Sequence, residues 1–530
     1  MNLRAGLSRK KPSKRFLRSP LVLLFSMSLP STIASRFSMA RLRSFAMFMA
    51  GPGRTRILLA IPLLLVFFLP PASPRTGREP QFRSGRTAVS IGENQGAFLM
   101  LSDIHFDPFS NASPEAFKRL SSSPVEEWQS IFESSGDNRL PPEGTDTNYP
   151  LLASALDAAR NSGAHYDYVL VAGDFLGHRL PAKYRSFKPD GRGYREFAIK
   201  TLIFVNRMIE QSFPGVPVYG ALGNNDSTGG DYSAPGKALL VALRKEWKVV
   251  DARPDAVRDF LRGGFYAVPH PTVPDREFIV LDTSFWSSRY EGGNNRNFRD
   301  AGAGELSWLR STLQQLQAMH KTAALIMHIP PGIDAYASSA LGGCNTPALF
   351  WKGAYLSAFL ELIEEHKAIL RDAYAGHTHM DDFRVFTDRE GMPYFQTHVV
   401  PSISPDHRTR PAFEIGVYDK ATGALMDYAA TYLKSPPGTG TAGKPLWEPE
   451  YDFRQLSGFQ SYSPASLETA AALIRSNEAI RKKFIDFYLS KLPSSVVPIT
   501  KDWLSYSCAQ TEMTASAYGK CACPSPAGKN

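Results

Sequence analysis

The feature that most constrains the fold of this chain is a form of strand end that recurs five times between residues 97 and 379. Each time, a short apolar run of the kind that forms a buried strand stops abruptly at an Asp, Asn or His. The first run, residues 97–101, is followed by Asp103, His105 and then Pro108. In α/β sheets, binding sites collect outside the carboxyl ends of the strands. The five ends are therefore expected to meet at one site.

Seven side chains at these ends have the chemistry of metal ligands, namely Asp103, His105, Asp174, Asn224, His328, His377 and His379. Nitrogen and oxygen ligands without sulfur suit two divalent cations, with Zn preferred here and Mn or Fe as alternatives. One shared carboxylate commonly holds such ions about 3.5–4 Å apart. Gly223 and Gly376 precede two of the ligands and permit tight turns there. Each residue alone is equally well explained as a turn former or a packed histidine, but the ordered set predicts a two-metal centre.

The order of the predicted elements indicates the fold class. Strands and helices alternate up to residue 375, and strands alone follow between residues 383 and 432. This order predicts an α/β (α+β) fold, with a mixed sheet or a two-sheet sandwich covered by helices. The Pro/Gly-rich residues 434–447 read as a linker or loop, and residues 464–489 as helical. The predicted organisation is a leader (1–92), a catalytic domain (93–433) and a C-terminal helical segment (434–530).

The positive charge of the chain is concentrated in the leader. The net charge is +10, but residues 1–92 carry 16 Lys or Arg and one acidic residue, which leaves a net charge of −5 for the rest. No nucleic-acid partner is therefore expected. Residues 57–69, an apolar run of 13 residues before Pro70, are short for a membrane span and fit a signal-peptide core, with a start near Met47 or Met49. We expect an exported protein, secreted or periplasmic, without a membrane span after signal removal; an uncleaved anchor is the alternative.

The four cysteines are expected to form disulfides. Cys508, Cys521 and Cys523 lie within the last 23 residues, and Cys344 lies far upstream. In an exported chain, such a cluster is typical of disulfides that hold the tail in place. Cys508–Cys521 is the preferred pair, and Cys344–Cys523 is the second. A zinc knuckle in the tail is the alternative, although no His lies nearby.

The ligand motifs resemble those of the calcineurin-like metallophosphoesterases and, within that group, of the acid sphingomyelinase-like phosphodiesterases. The resemblance is carried by the cysteine-bearing tail and by three motifs, Asp103-Ile-His105-Phe-Asp107, Gly173-Asp174-Phe-Leu-Gly-His178 and Gly376-His377-Thr-His379-Met-Asp381. It extends over residues 95–525 or nearly so. It implies the four-layer β-sandwich of that family flanked by helices, with a small disulfide-bearing C-terminal segment.

The resemblance also implies a role for each matched position. For one metal, the implied ligands are Asp103, His105 and His379. For the other, they are Asn224, His328 and His377, and Asp174 is implied to bridge both. A hydroxide that bridges the two cations would attack phosphorus in line, since the cations lower the pKa of bound solvent towards neutrality.

One position departs from the family pattern. The family usually has a His after the Asn, and that His orients phosphate or protonates the leaving group; here the residue is Asn225. Asn can donate a hydrogen bond to a phosphoryl oxygen but cannot supply a proton at neutral pH. His178, four residues after Asp174, is therefore the predicted general acid, with a surface histidine as the alternative. The Gly-Asn-Asn-Asp sequence also resembles that of endopolyphosphatases, and Asp226 is expected to hold this loop through hydrogen bonds.

The sequence thus predicts an exported two-metal phosphoesterase, a phosphodiesterase that resembles acid sphingomyelinases. A phosphoanhydride or monoester hydrolase is the alternative, and an inactive metal-bound scaffold is a third hypothesis. The candidate substrates are small phosphodiesters, nucleotides, polyphosphate and phospholipid head groups. Residues 71–95 lack cysteine and are too few for a saposin-like segment, which favours water-soluble substrates over sphingomyelin. A monomer is expected.

Overall fold

The computed structural model describes residues 91–110, 112–290, 301–435, 445–492 and 496–523. The predicted export signal and spacer lie outside the described residues, apart from the last two residues of the leader. No helix among the described residues is long and apolar enough to cross a membrane.

The strands alternate with helices up to residue 375 and then follow one another without helices from residue 382 to residue 433. Their bounds are β1 (Gln95–Leu101), β2 (Tyr168–Val171), β3 (Val218–Gly220), β4 (Tyr266–Pro269), β5 (Arg276–Val280), β6 (Thr322–Ile326), β7 (Ile333–Asp334), β8 (Ala348–Leu349), β9 (Leu370–Ala375), β10 (Asp382–Thr387), β11 (Pro393–Val399), β12 (Ala412–Asp419), β13 (Leu425–Leu433) and β14 (Trp447–Asp452).

The helices cover the sheets and build the C-terminal segment. Their bounds are α1 (Pro114–Ser122), α2 (Trp128–Ser134), α3 (Tyr149–Arg160), α4 (Leu180–Phe187), α5 (Tyr194–Ser212), α6 (Lys237–Glu246), α7 (Lys248–Asp251), α8 (Pro254–Gly263), α9 (Ala301–Ala318), α10 (Ala335–Ala340), α11 (Gly353–Glu365), α12 (Phe453–Ser457), α13 (Pro464–Ser476), α14 (Glu478–Tyr488), α15 (Ile499–Ala509) and α16 (Ala515–Ala522).

Two six-stranded mixed sheets form the centre of the fold. The first has the order β14-β13-β12-β1-β2-β3 and the second the order β10-β11-β9-β6-β5-β4. Strands β1, β2 and β3 run parallel, as do β5, β6, β9 and β11, whereas the outer strands of both sheets pair antiparallel. Parallel strands covered on both faces are buried along their whole length, which explains why they read as continuous apolar runs.

Aromatic side chains join the inner faces of the two sheets. Phe98 of β1 stacks on Tyr168 of β2 with ring centroids 4.6 Å apart and meets Tyr374 of β9 edge-on at 5.6 Å. Phe278 of β5 lies 5.2 Å from Tyr168. All four rings are buried. Such interdigitation of facing side chains makes the two sheets a sandwich, and the predicted fold class is confirmed.

The sequence pattern locates most elements but misses some. The predicted helix over residues 194–212 coincides with α5, whereas residues 464–489 form two helices separated at Asn477. The side chain of Asn477 accepts hydrogen bonds from the first backbone amides of α14, so a new helix begins there. Strand β14, after the predicted linker, pairs with β13 of the first sheet. The predicted domain boundaries stay predictions.

The C-terminal segment is held by two disulfides, Cys508–Cys521 between α15 and α16 and Cys344–Cys523 to the middle of the chain. Both predicted pairs are confirmed, and the zinc-knuckle alternative is wrong because all four cysteines are used. The segment packs its own small core against the loops after β6 and β9. This core includes Tyr488, Tyr506 and Tyr518, together with Ile333 and Met380. The C-terminal helices therefore lie beside the strand ends.

Candidate metal centre

The fold brings the predicted ligands together because their strands are neighbours. Asp103, Asp174 and Asn224 follow β1, β2 and β3, which are adjacent and parallel in the first sheet. His328 and the His-Thr-His motif at 377–379 follow β6 and β9, which are adjacent and parallel in the second sheet. The carboxyl ends of both sets point to the same edge of the sandwich. A backbone hydrogen bond from Asp103 to Gly173 O, of 3.0 Å, links the first two ends.

The backbone at this edge is held in an uncommon conformation. Five of the seven predicted ligands have positive φ angles, namely Asp103 (48°), His105 (45°), Asp174 (55°), His377 (71°) and His379 (65°). Residues with a Cβ rarely adopt this left-handed region, and those that do cluster at functional sites. The observation supports a functional site independently of the residue types.

Glycines make room for the carboxylates at this edge. A Cβ added to Gly223 would overlap the carboxylate of Asp174, and one added to Gly376 would lie 2.6 Å from Asp103 Oδ2. Only a residue without a side chain therefore fits at either position while the carboxylates keep their places.

One group of ligands surrounds a point near Asp103. Its Oδ1 atom lies 3.3 Å from His379 Nε2 and 3.6 Å from His105 Nε2, and these two nitrogens are 3.1 Å apart. Oδ1 is buried and accepts no hydrogen bond among the described residues. Ligands about 2.1 Å from a shared ion lie about 3 Å from one another, so these distances and the unsatisfied oxygen fit a cation.

A second group lies on the other side of Asp174. His328 Nε2 is 3.2 Å from Asp174 Oδ2 and 3.1 Å from Asn224 Oδ1. The same Asp174 oxygen is 3.5 Å from His105 Nε2, so it lies between the two groups, as a bridging ligand requires. The ring of His377 lies beside His328, with centroids 5.2 Å apart. Nε2 of His377 lies 3.5 Å from the hydroxyl of Tyr232, and its role as a ligand stays a prediction.

The electrostatics of the cluster favour bound positive charge. Burial lowers the pKa of His105, but Asp174 and Asp103 outweigh this effect and raise that pKa to about 10. Burial also lowers the pKa of His328, and the same carboxylates raise it to about 9. Without a cation, the site therefore holds protons, which a divalent ion must displace.

Contacts behind the ligands fix their orientation. His105 Nδ1 lies 3.1 Å from Leu176 O, and His328 Nδ1 lies 2.7 Å from Ala172 O. Because a carbonyl only accepts, each Nδ1 carries a proton, and each Nε2 faces the site and can bind a cation once its own proton is displaced. Asp226 accepts from the backbone amides of residues 175, 176 and 223, so its predicted role in holding the loop is confirmed.

His178 lies against the first group of ligands. Its ring stacks on that of His105 with centroids 3.9 Å apart, and its Nδ1 lies 2.7 Å from Asp146 Oδ1. Burial raises the pKa of Asp146, but the hydrogen bond and charge of His178 and the charge of Lys183 lower it to about 2. Asp146 is thus ionised at neutral pH and accepts the Nδ1 proton, which leaves His178 Nε2 as the nitrogen available for proton transfer.

Asn225 is turned towards the bridging carboxylate. Its backbone amide donates to Asp174 Oδ1 at 2.8 Å and its side-chain Nδ2 donates to Asp174 Oδ2 at 3.0 Å. Asn225 does not line the cavity in front of the cluster, whereas His178 does. The predicted contact of Asn225 with a phosphoryl oxygen stays a prediction, and the structure shows a different contact, with Asp174.

A cavity of about 540 Å³ opens in front of the ligands. Its walls include aromatic side chains from four parts of the chain, namely Tyr232, Tyr336, Phe350, Tyr488 and Tyr506. Tyr488 and Tyr506 belong to α14 and α15, so the C-terminal segment supplies one wall. The cavity also exposes Arg289, whose guanidinium lies over the ring of Tyr232 at 5.3 Å.

Several residues at the site carry no motif and were missed from the sequence. Asp146 orients His178, Asp231 accepts a hydrogen bond of 2.7 Å from Asn224 Nδ2, and His407 contacts His379. Asp146 and His407 lie in polar loops 32 and 28 residues away from their partners, and only the tertiary structure brings them near. For Asp231, closeness to Asn224 in the chain was the one available signal.

A cluster of carboxylates and imidazoles at the edge of such a sandwich is typical of metal-dependent hydrolases. The chain belongs to the calcineurin-like phosphoesterase family, whose sequence profile matches residues 96–381. It is therefore a phosphoric ester hydrolase.

Relatives within the family narrow the comparison. The chain is 23% identical over 444 residues to the acid sphingomyelinase-like phosphodiesterase 3b of Homo sapiens. The alignment covers 80% of this chain and 90% of that protein. The chain is 25% identical over 446 residues to the cyclic GMP-AMP phosphodiesterase SMPDL3A of Bos taurus, with coverage of 82% and 92%. A dimetal phosphatase from Danio rerio matches in structure with a TM-score of 0.39 at 14% identity, over 67% of this chain and 98% of that one.

Proposed function

We propose that this protein is an exported two-metal phosphodiesterase. The observation that carries the proposal is the position of Asp174 Oδ2, which lies between His105 Nε2 at 3.5 Å and His328 Nε2 at 3.2 Å. One carboxylate oxygen flanked by two imidazole groups is what two neighbouring cations require. The ligands are nitrogen and oxygen, so Zn is the preferred ion and Mn or Fe are alternatives.

Each part of the cluster has a proposed task. Asp103, His105 and His379 hold one ion, Asn224, His328 and His377 hold the other, and Asp174 is shared. When bound, the two cations lower the pKa of solvent and neutralise charge on the phosphoryl oxygens. Asn225 keeps Asp174 in place through its two hydrogen bonds.

His178 is the proposed general acid. It lines the cavity, and its ring is fixed by the stack on His105 and by the hydrogen bond to Asp146. The ionised Asp146 balances the charge of a protonated imidazole, and Nε2 then holds the proton that a leaving group needs. Since Asn225 cannot donate a proton at neutral pH, the burden falls on His178.

The named substrates of the relatives and the shape of the cavity support a small phosphodiester as substrate. Relatives include a cyclic GMP-AMP phosphodiesterase and, in Caenorhabditis elegans, a sphingomyelin phosphodiesterase 2, 25% identical over 440 residues. The aromatic walls suit the flat or apolar group attached to a phosphate. The two disulfides agree with export to an oxidising compartment.

A second candidate is a phosphoanhydride hydrolase, favoured by the arginines next to the site. Arg289 lines both the cavity and an adjoining groove of about 860 Å³, which Arg185 and Arg195 also line. Asp231 and Glu196 line the same groove and offset part of the charge. Guanidinium groups bind additional phosphates well, so a substrate with several phosphates remains the alternative.

A turnover panel tests both candidates. The panel contains a choline-phosphate lipid, nucleotides, polyphosphate and an aryl phosphodiester, each assayed with Zn and with Mn. Turnover of the diesters supports the first candidate, and turnover of polyphosphate without diesters supports the second. Purified protein with fewer than one bound divalent ion per chain would overturn the two-metal proposal and leave the scaffold hypothesis.

His178→Ala tests the acid. Loss of a positioned acid costs about 10²–10⁴-fold, and the loss should be much larger for poor leaving groups than for the activated aryl ester. The exposed His165 provides a matched control as His165→Ala, which should leave both rates unchanged. Equal losses for both leaving groups would contradict the assignment.

A further inference from the structure

Two of the four predicted histidine ligands, His105 and His328, share one arrangement of their outer nitrogens. In His105 and His328, Nε2 faces the site and Nδ1 contacts a backbone carbonyl, at 3.1 Å and 2.7 Å. The carbonyl accepts the Nδ1 proton and so holds the ring in the orientation and tautomer that a cation needs. Loss of such an outer contact typically costs 10–100-fold in metal affinity.

His379 has a different outer partner. Its Nε2 faces Asp103 Oδ1 at 3.3 Å, so its proton must lie on Nδ1 when Nε2 binds a cation. That Nδ1 lies 3.1 Å from Nδ1 of His407, and the two rings meet edge to face with centroids 4.2 Å apart. We propose that His407 is a positioning residue, which accepts the Nδ1 proton of His379 and thereby holds this ligand for the first ion.

The proposal defines the tautomer of His407. To accept through Nδ1, His407 must carry its own proton on Nε2. Asp406 Oδ2 lies 3.3 Å from the same Nδ1 of His407 and attracts a proton there. A proton on that nitrogen would face the Nδ1 proton of His379, so the two arrangements exclude each other. The shorter distance, 3.1 Å, is the one to His379.

The loop that carries His407 is anchored to the site itself. The amide of Ser404 donates to Asp103 O at 3.1 Å, and Pro405 O accepts from Gly144 at 2.8 Å. The loop of His407 is thus bonded to the backbone of Asp103, which shares the first ion with His379, although His407 lies 28 residues after His379. The carboxylate of Asp406 also lies 3.9 Å from His178 Nδ1, so one loop contacts both a predicted ligand and the predicted acid.

This inference rests on the proposed ligand role of His379, and its test measures metal binding rather than turnover. The full chain, loaded with Zn²⁺, is titrated with a competing chelator, and the affinity for each of the two ions is measured. Two variants of His407 are compared. In His407→Asn, the side-chain oxygen lies near the position of Nδ1, whereas in His407→Gln it lies near the position of Nε2.

We expect His407→Gln to weaken one of the two ions by about 10–100-fold and to leave the other unchanged. His407→Asn should restore most of that affinity, which a merely structural role in the loop would not predict. Arg408→Ala, at the exposed next residue, controls for damage to the loop and should bind both ions as the parent does. Thermal unfolding of each variant confirms that it is folded.

Three results would count against these assignments in distinguishable ways. Equal affinity of the Gln, Asn and parent proteins would overturn the role of His407 alone. Equal weakening of Gln and Asn variants would also overturn it, because the position of the acceptor would then be irrelevant. A parent protein that binds none of Zn²⁺, Mn²⁺ and Fe²⁺ would overturn the proposed function itself.

Discussion

Replacement of Asp231 by alanine isolates the orientation of one proposed ligand. The amide of Asn224 has two chemically different ends, and only its oxygen can bind a cation. In the structure, Asn224 Oδ1 lies 3.1 Å from His328 Nε2, and Nδ2 donates to Asp231 Oδ1 at 2.7 Å. Without Asp231, rotation of the amide by 180° would place the NH₂ group in the site at little cost.

The expected magnitude follows from this hydrogen bond. Hydrogen bonds to charged groups contribute about 1.5–3 kcal/mol. Asp231 is exposed, and solvent screens exposed charges, so the lower value applies. About 1.4 kcal/mol corresponds to a factor of ten, so Asp231→Ala should weaken one Zn²⁺ by about ten-fold and leave the other unchanged.

The assay is a chelator titration of the Zn²⁺-loaded protein, combined with the turnover rate at saturating metal. Asp231→Asn is the matched control, because it keeps an oxygen acceptor without the charge and should lose less affinity than Asp231→Ala. Excess Zn²⁺ should restore most of the turnover of the alanine variant. Affinity for both ions within about two-fold of the parent would refute the argument, since a ten-fold change is the least that a charged hydrogen bond predicts.

Two further predictions follow from the described packing. Gly223→Ala should abolish tight binding of both ions, because the new Cβ would overlap the shared carboxylate of Asp174. Gly304→Ala is the control: no atom lies near its new Cβ, so this variant should bind metal normally in the same titration. The second prediction is that His270 makes the protein less stable in acid. Burial, and then the charge of Arg276, lower the pKa of His270 to about 3. Between pH 6.5 and about 3, the unfolded chain therefore takes up a proton that the folded chain does not. At 1.36 kcal/mol per pH unit, this lowers the free energy of unfolding by about 3 kcal/mol at pH 4. The variant His270→Asn keeps an acceptor for the amides of Thr272 and Val273 but does not titrate. Chemical denaturation at pH 7 and pH 4 should therefore show a smaller loss of stability for this variant than for the parent. An equal loss in the variant would assign the acid sensitivity to other groups.

The sequence predicted the parts of the site that are local in the chain. An apolar run that ends at Asp103 or Asp174 contains both the strand and its terminal side chain within a few residues, so pattern and chemistry can be read together. The strands that hold these ends are also buried on both faces, which makes their apolar runs continuous. For the same reason, the class of fold followed from the order of the elements.

The residues that orient the ligands could not be predicted in this way. Asp146 contacts His178 across 32 positions of the chain, and His407 contacts His379 across 28. Each is an ordinary polar residue in a polar loop, and its role exists only through a partner that folding brings near. Strand β14 was missed for a related reason, because its pairing with β13 depends on a neighbour beyond the Pro/Gly-rich segment.

The left-handed backbone of the ligands bears on how the site is assembled. Five predicted ligands have positive φ, and each such residue costs about 1–3 kcal/mol. Together, the cost is comparable to the whole net stability of a typical domain, about 5–15 kcal/mol. The two sheets and the backbone hydrogen bonds at their carboxyl ends must therefore hold this conformation, since strain of that size persists only where the surrounding structure determines it. In the metal-free protein, protonated His105 and His328 balance the buried carboxylates. Divalent ions would then enter a cluster whose ligands are already in position, and the change on binding is an exchange of protons for metal rather than a rearrangement of the strand ends.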